Sequence, residues 1–212
     1  MASTTVPRAV VFDLGKVLLD FDYGIAARRF LPRCAAPLAH IQESVFRSSL
    51  LARYETGLLT NEQFFREVQA ATGFQGEFTE FREVFGDIFS PVPLMIELQT
   101  DLRRRGFPTY IFSNTNDLTI QYIREHFPFF RNFDGYFYSY QEGLMKPDSR
   151  FYEVLEQRTG QQGGELLYLD DRPENVAAGA ARGWRSLLHE TPAKTRAAVH
   201  SCLRTVEPPP IS

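Results

Sequence analysis

The 212-residue chain is 43% hydrophobic and 14% aromatic, which is enough apolar content for one globular domain, with or without an inserted segment. Its net charge of −3 argues against nucleic acid and anionic membrane surfaces as partners and favours a small-molecule ligand. Two cysteines, Cys34 and Cys202, are too few for a disulfide framework and lack zinc-site spacing, so we expect a cytoplasmic protein.

The first predicted strand, Ala9–Phe12, is an apolar run that ends abruptly at Asp13. That carboxylate interrupts the run too early for a secretory leader, and no apolar stretch approaches the ~20 residues that span a bilayer. Further short apolar runs predict strands at 108–112, 133–138, 166–169 and 184–188. The first, second and fourth of the five runs are continuous, which is typical of strands covered on both faces in a parallel sheet.

Helical patterns separate the strands. Apolar residues recur at helical spacing over 93–105, 118–126, 149–158 and 173–182. The alternation of strands and helices predicts a doubly wound α/β sheet. In such a sheet, ligands bind beyond the carboxyl ends of the strands.

The segment 22–90 breaks this alternation. It contains helical patterns such as "IAARRFL", "LAHIQESVFRSSLLARY" and "TNEQFFREVQAA", the last capped by Thr60 or Asn61, and no convincing strand. We therefore expect an all-helical insert at 22–90 that hangs over the carboxyl edge of a core formed by 1–21 and 91–212. Only the ends, through Pro7 and from 207 to 212, are expected to be disordered.

Polar residues follow the ends of four predicted strands. They are Asp13 after the first, Ser113 and Asn114 after the second, Lys146 in the loop after the third, and Asp170 and Asp171 after the fourth. Each residue alone is explained as a turn or helix cap, or as a solvated loop charge. Their recurrence at the carboxyl ends of strands indicates one shared site.

The chemistry of this set is consistent with phosphoryl transfer. Carboxylates from two strands can hold Mg²⁺, which prefers oxygen ligands and often binds substrate phosphate as well. A hydroxyl, a backbone N–H and an ammonium can neutralise the remaining phosphate oxygens. One carboxylate is then free to attack phosphorus and form an aspartyl phosphate.

Four segments, "VVFDLGKVLLD", "YIFSNTN", "GLMKPDSRFYEVL" and "LLYLDDRPENVAAGAARGW", resemble the ordered motifs of the haloacid dehalogenase (HAD) superfamily over residues 8–190. Within it, the chain resembles bacterial phosphatases similar to α-D-glucose-1-phosphate phosphatase. The resemblance implies a Rossmann-like core with a small helical cap inserted after the first strand. It also implies Mg²⁺-dependent hydrolysis of small phosphorylated metabolites, such as glucose 1-phosphate.

The resemblance further implies roles for individual residues. Asp13 would be the nucleophile, and Lys146 would stabilise the charge on the transferring group. The implied metal ligands are Asp13, the backbone carbonyl of Gly15, Asp171 and Asp170, the last as a ligand or an outer-shell partner. The implied phosphate-binding residues are Ser113, Asn114 and Lys146. We expect a monomer or a weak homodimer.

Gly15 departs from most members of the family, which carry an Asp there that protonates the leaving group and then activates water. Three interpretations stay open. The substrate's leaving oxygen needs little protonation; another group, namely Lys16, Asp20, Asp22 or a cap residue, replaces the acid; or the chain is a phosphate-binding pseudoenzyme. The resembled phosphatases also carry Gly here, so loss of catalysis is not the default interpretation.

Two rival functions share part of the pattern. Haloacid dehalogenation also uses an Asp nucleophile, but it needs no metal, and the pair Asp170 and Asp171 argues against it. Phosphoaspartate receiver domains place their acidic pair on the first strand and lack a large cap.

Substrate choice is expected to depend on the cap. The cap arginines, most of which would be solvated, are Arg28, Arg29, Arg33, Arg47, Arg53 and Arg66. One or two of them could contact a second anionic or polar group of the substrate. The four histidines show no shared spacing and are expected at surface or packing positions.

Overall fold

Seven strands form two sheets in the computed structural model, which describes residues 6–203. The strands are β1 (Ala9–Phe12), β2 (Leu19–Phe21), β3 (Phe89–Pro91), β4 (Thr109–Ser113), β5 (Gly135–Tyr138), β6 (Leu166–Asp170) and β7 (Arg185–Leu188). The larger sheet is parallel, in the order β5–β4–β1–β6–β7, so the first strand of the chain lies at its centre. All five strand predictions are confirmed, with shifts of one or two residues at some ends.

Helices fill the connections between these strands. Between β2 and β3 lie α1 (Tyr23–Phe30), α2 (Leu38–Ile41), α3 (Ser49–Glu55), α4 (Asn61–Thr72) and α5 (Phe78–Gly86). After β3 come α6 (Pro93–Arg104), α7 (Asp117–His126), α8 (Ser139–Glu142), α9 (Ser149–Thr159), α10 (Pro173–Ala181) and α11 (Pro192–Leu203). The α/β fold is thereby confirmed, although the sequence pattern did not predict α8 or α11. None of the helices within residues 6–203 has the length and apolar character needed to cross a membrane.

Both faces of the larger sheet are covered by apolar side chains, which explains the continuous apolar runs. On one face Phe12 of β1 belongs to a cluster with Leu98 of α6. On the other face Val11 belongs to a cluster with Phe151 of α9 and Trp184. The central strand is therefore fully buried and presents only its carboxyl end to a ligand.

The cap, formed by α1–α5, has an apolar core of its own that is rich in aromatic rings. Phe30 and Phe81 stack with ring centroids 5.1 Å apart, and Tyr54 stacks on Phe64 at 4.1 Å. Leu118 of α7 belongs to the same cluster, so the cap core continues onto the α/β core. Such rings bury large apolar areas and hold the cap helices together.

The strands β2 and β3 form an antiparallel pair at the base of the cap, with Phe21 opposite Phe89. The prediction that 22–90 contains no strand is therefore wrong at its C-terminal end. Each of these strands has three residues, too few to show an alternating pattern. The pair lies where the predicted domain boundaries fall, and the boundaries themselves stay a prediction.

The chain ends were expected to be disordered. Residues 1–5 and 207–212 of that prediction lie outside the described residues. Pro7 is buried, and the adjacent Arg8 N–H donates to the Glu165 carbonyl at 2.7 Å. The prediction is therefore wrong at Pro7, because the residue packs beside the first strand.

Polar contacts fix the end of α3 against the α/β core. The Ser139 hydroxyl of α8 donates to the Glu55 carbonyl at 2.6 Å. The Tyr54 hydroxyl accepts from the Leu118 N–H at 3.2 Å and donates to Asn61 Oδ1 at 2.6 Å. Asn61 in turn donates to Asp117 at 2.8 Å. The cap therefore meets the core at a specific, hydrogen-bonded junction.

Gly57 lies in this junction and provides a stability test. Its φ is +71°, and a Cβ added there would lie 2.1 Å from the Tyr140 carbonyl oxygen. Gly160 has a similar φ of +67° with open space around it, so Gly160→Ala is a matched control. We expect Gly160→Ala to cost about 1–2 kcal/mol for its backbone conformation. Gly57→Ala should lose about 1–3 kcal/mol more because of the clash.

The measurement is the free energy of unfolding of both variants in urea. Equal losses for the two substitutions would contradict a tight junction between the cap and the core.

Candidate active site

The carboxyl ends of three neighbouring strands carry the polar residues of the site. Asp13 directly follows β1, Ser113 ends β4, and Asp170 ends β6 with Asp171 directly after it. Because β1 lies between β4 and β6, these ends meet at one edge of the sheet. Lys146 reaches the same edge from the loop between α8 and α9.

The Lys146 ammonium is the centre of the cluster. Its Nζ lies 2.6 Å from Asp170 Oδ2 and 2.9 Å from Asp13 Oδ1, and it donates to the Phe112 carbonyl at 2.8 Å. All three of its protons therefore have acceptors. The side chain is almost fully buried, so this arrangement holds one cation between two strand ends.

Burial and charge act in opposite directions on this cluster. Burial alone would lower the pKa of Lys146, but Asp13 and Asp170 beside it raise that pKa above its ordinary value. Burial raises the pKa of Asp13, and Asp170 adds to the effect, while the Lys146 ammonium lowers it. Lys146 is therefore charged, and it is the group that favours the ionised form of Asp13.

Asp170 is fully buried and surrounded by donors. Besides Lys146, it accepts from the Tyr168 hydroxyl, from the Arg172 N–H at 2.8 Å and from the Asn175 amide at 3.0 Å. Burial raises the pKa of Asp170, but the Lys146 ammonium and these hydrogen bonds outweigh it and bring the pKa below its usual value. Asp170 is therefore an ionised, fixed carboxylate.

Asp171 is more exposed and lines the cavity above the cluster. Partial burial raises its pKa, and the negative charge of Asp170 raises it further. One carboxylate oxygen from each of Asp13, Asp170 and Asp171 lies within 4.8 Å of the others. These three residues could hold a metal ion, because the set offers hard oxygen ligands of like charge.

Ser113 and Asn114 reach the same cavity in different ways. Ser113 is buried at its wall, and its hydroxyl makes only a long 3.4 Å contact with the Asn114 carbonyl. The Asn114 amide instead pairs with the Lys146 backbone, donating to its carbonyl at 2.9 Å and accepting from its N–H at 2.8 Å. The Asn114 side chain thus positions Lys146, while Ser113 lines the cavity wall.

A side chain at position 15 would have to displace the Phe21 ring. A Cβ placed there would lie 2.7 Å from Cε1 of Phe21, the last residue of β2. The Phe21 ring therefore occupies the space that a carboxylate at position 15 would need. Gly15 itself lines the cavity beside Asp13.

Three residues near Gly15 are candidate replacements for an acid at position 15, and each of them forms hydrogen bonds with other groups. The Lys16 ammonium donates to Asp20 at 2.5 Å and to the Phe21 carbonyl at 2.6 Å. The Lys16 hydrogen bond lowers the pKa of the exposed Asp20, which keeps that carboxylate ionised. Asp22 caps α1 by accepting from the Gly24 N–H at 2.7 Å. Lys16 still lines the cavity, whereas Asp20 and Asp22 do not.

The cavity has a volume of about 250 Å³ and is closed on one side by the cap. Its wall includes residues that the sequence did not single out. Among them are Phe21, Tyr23, Leu51, Glu55, Phe89, Thr119, Arg172 and Asn175. None of the six cap arginines belongs to this wall, and four of them, Arg28, Arg29, Arg33 and Arg53, form ion pairs on the cap. The arginine that does line the cavity, Arg172, comes from the core.

Comparison with known proteins identifies the family. The sequence model of the haloacid dehalogenase-like hydrolases matches residues 7–183. The chain belongs to this family. Its HAD relatives include a sesquiterpene phosphatase of Aspergillus oryzae, 26% identical over 187 residues that cover 84% of this chain and 88% of the relative. They also include a D-ribitol-5-phosphate phosphatase of Bacteroides thetaiotaomicron, which is 23% identical over 194 residues that cover 88% of this chain and 94% of the relative.

A solved HAD structure shares the fold. The HAD family enzyme of Bacteroides thetaiotaomicron, determined in complex with magnesium and inorganic phosphate, superposes with a TM-score of 0.78. The match covers 86% of this chain and 93% of that one at 20% sequence identity. This likeness confirms the HAD fold predicted for the chain.

The contrast between Asp170 and Asp171 provides a second test. Asp170→Asn removes the main partner of a buried ammonium and should lower the free energy of unfolding by about 3–5 kcal/mol. Asp171→Asn should cost little, because it relieves the repulsion between neighbouring carboxylates. Denaturant unfolding in EDTA-containing buffer measures both. A loss for Asp171→Asn as large as that for Asp170→Asn would contradict this division of roles.

Proposed function

We propose that this chain is a phosphatase that hydrolyses small phosphorylated metabolites through an aspartyl phosphate on Asp13. The observation that carries the proposal is the placement of Asp13 in the cavity, where the Lys146 ammonium and the Leu14 N–H both contact Oδ1. We assign Oδ2 as the oxygen that attacks phosphorus. The two phosphatases among the relatives support the same reaction.

Magnesium suits the donor set around Asp13. Asp13 and Asp170 contact one buried ammonium and Asp171 lies close to both carboxylates, so the cluster has an excess of negative charge that a divalent cation would neutralise. In our proposal Asp13, the Gly15 carbonyl and Asp171 hold the ion, and Asp170 acts mainly on Lys146. When bound, the ion supplies positive charge that stabilises the phosphoryl oxygens during transfer. The neighbouring structure with magnesium and phosphate supports magnesium as the ion.

The remaining phosphate oxygens would be bound by the chain itself. Lys146 supplies an ammonium and Ser113 a hydroxyl at the same cavity wall. Asn114 would contribute its backbone N–H, since its side chain is paired with Lys146. The Lys146 ammonium is held in place by its own partners before the substrate arrives, and such preorganised charge stabilises developing charge effectively.

A cavity of this size favours a small substrate, because phosphate and metal occupy part of it. Glucose 1-phosphate, which the sequence resemblance suggested, remains the proposed substrate within this class. The cytoplasmic location and the monomeric or weakly dimeric state expected from the sequence also stay predictions.

Two alternatives make different predictions. A dehalogenase would act without metal, yet the acidic cluster carries more negative charge than its ammonium neutralises. A pseudoenzyme would bind phosphate without turnover. The following two experiments separate both from a phosphatase.

Asp13→Asn should abolish steady-state turnover while the protein still folds, because the amide cannot form the acyl phosphate. Asp101→Asn, an exposed change on α6, is the matched control and should retain full activity. The assay is phosphate release from a panel of phosphorylated metabolites with Mg²⁺. Turnover by Asp13→Asn, once deamidation has been excluded by mass spectrometry, would remove Asp13 from the nucleophile's role.

Removal of the metal should suppress turnover. EDTA should stop phosphate release and added Mg²⁺ should restore it, whereas Asp171→Ala should raise the Mg²⁺ concentration needed for half-maximal activity by about tenfold or more. Titration of Mg²⁺ against activity measures both effects. Hydrolysis that is indifferent to EDTA and to Asp171→Ala would favour dehalogenase-like chemistry.

A further inference from the structure

For a substrate whose leaving oxygen needs a proton, a phosphatase with glycine at position 15 must take that proton from another residue. The Phe21 ring fills the space at Gly15, so a carboxylate from this loop cannot lie there without displacing the ring. Lys16 and Asp20 form an ion pair with each other. The group that supplies the proton should therefore enter the cavity from a different element.

Glu55 is a carboxylic acid that enters the cavity from the cap. It is the last residue of α3 and lines the same cavity as Asp13 and Gly15. Its Oε1 lies 3.4 Å from the hydroxyl of Tyr23, which also lines the cavity. Glu55 is partly buried, so its carboxyl group combines access to a ligand with a largely dehydrated environment.

The core holds Glu55 in this position. Its carbonyl accepts from the Ser139 hydroxyl at 2.6 Å, and the same hydroxyl accepts from the Thr115 N–H at 2.8 Å. Thr115 itself follows the strand end that supplies Ser113. Glu55 is therefore tied through two hydrogen bonds to the loop that carries part of the phosphate site.

We propose that Glu55 is the general acid and base of this enzyme, replacing from the cap the group that position 15 lacks. This inference rests on the phosphatase function proposed above. As Asp13 Oδ2 forms its bond to phosphorus, the bond from phosphorus to the leaving oxygen breaks, and the Glu55 proton passes to that oxygen. The products of this step are the free alcohol, the aspartyl phosphate and the Glu55 carboxylate.

The second half of the reaction restores Glu55. A water molecule attacks the phosphorus of the aspartyl phosphate, and its proton passes to the Glu55 carboxylate as the bond to Asp13 breaks. Inorganic phosphate leaves, and both side chains return to their starting states. The same residue thus acts as acid and then as base.

The electrostatic environment supports this role. Burial raises the pKa of Glu55 to about 7, although the Tyr23 hydrogen bond and the Arg172 guanidinium lower it. The other charged groups at the cavity wall are Asp13, Lys16, Lys146 and Asp171. A carboxyl group with a pKa near neutrality can both give and take a proton at physiological pH.

The test compares Glu55→Gln with the matched control Glu62→Gln, an exposed change on α4. Single-turnover rates of enzyme phosphorylation are measured with Mg²⁺ over a series of aryl phosphates and one alkyl phosphate. Glu55→Gln should slow the alkyl substrate by about 10²-fold or more, since its leaving oxygen needs the proton. It should slow 4-nitrophenyl phosphate by less than about tenfold, because that leaving group needs little protonation.

A pH profile separates proton transfer from a purely structural role. For the alkyl substrate, the wild-type rate constant of phosphorylation should fall as pH rises above about 7, because Glu55 then loses its proton. Glu55→Gln should lack this limb, and Glu62→Gln should keep it. The proposal would be overturned if Glu55→Gln lost rate by the same factor for every leaving group and its phosphorylation rate constant still fell as pH rose above about 7.

The wild-type rates distinguish failure of the proposed role of Glu55 from failure of the proposed phosphatase function. Suppose that the wild type shows Mg²⁺-dependent turnover and that the phosphorylation rate of Glu55→Gln depends on the leaving group as the wild-type rate does. That result would overturn the role of Glu55 and leave the proposed phosphatase function intact. Absence of wild-type turnover with every monoester would overturn the proposed phosphatase and the role of Glu55 with it.

Discussion

The ammonium of Lys146 between Asp13 and Asp170 is the interaction on which the site depends. Three carboxylates from adjacent strand ends would repel one another, and the buried cation 2.6 Å from Asp170 and 2.9 Å from Asp13 offsets part of that repulsion. The Asn114 amide fixes the Lys146 backbone from the neighbouring strand end. The sheet topology, which puts the first strand at the centre, is what allows these elements to meet.

The cap supplies a carboxyl group that the sheet edge lacks at position 15. Phe21 and Phe89 pair at the base of the cap, and the Phe21 ring takes the space beside Gly15. The junction at Ser139 then holds the end of α3 over the cavity. In our account, the sheet edge and the cap each supply one reacting group. Asp13 attacks phosphorus from the end of β1, and Glu55 transfers protons from the cap.

Much of this arrangement follows from local sequence patterns, since continuous apolar runs mark buried parallel strands and a polar residue at each strand end marks the ligand edge. The strands β2 and β3 could not be predicted, because three residues are too few to show an alternating pattern. Glu55 could not be singled out either: it stands in "RYETGLLTNEQF" at the end of a helical pattern, where most charged residues are solvated. Only tertiary packing reveals that Glu55 lines the same cavity as Asp13 and that the Phe21 ring, rather than a carboxylate, lies beside Gly15.

The most direct test of the account is to trap the covalent intermediate. Wild-type enzyme is mixed with Mg²⁺ and a substrate, quenched within the first turnover and reduced with borohydride, which converts an aspartyl phosphate to homoserine. Peptide mass spectrometry then locates the modified residue. The account predicts homoserine at position 13 and at no other carboxylate of the cluster. Homoserine at another carboxylate, with Asp13 unmodified, would contradict it.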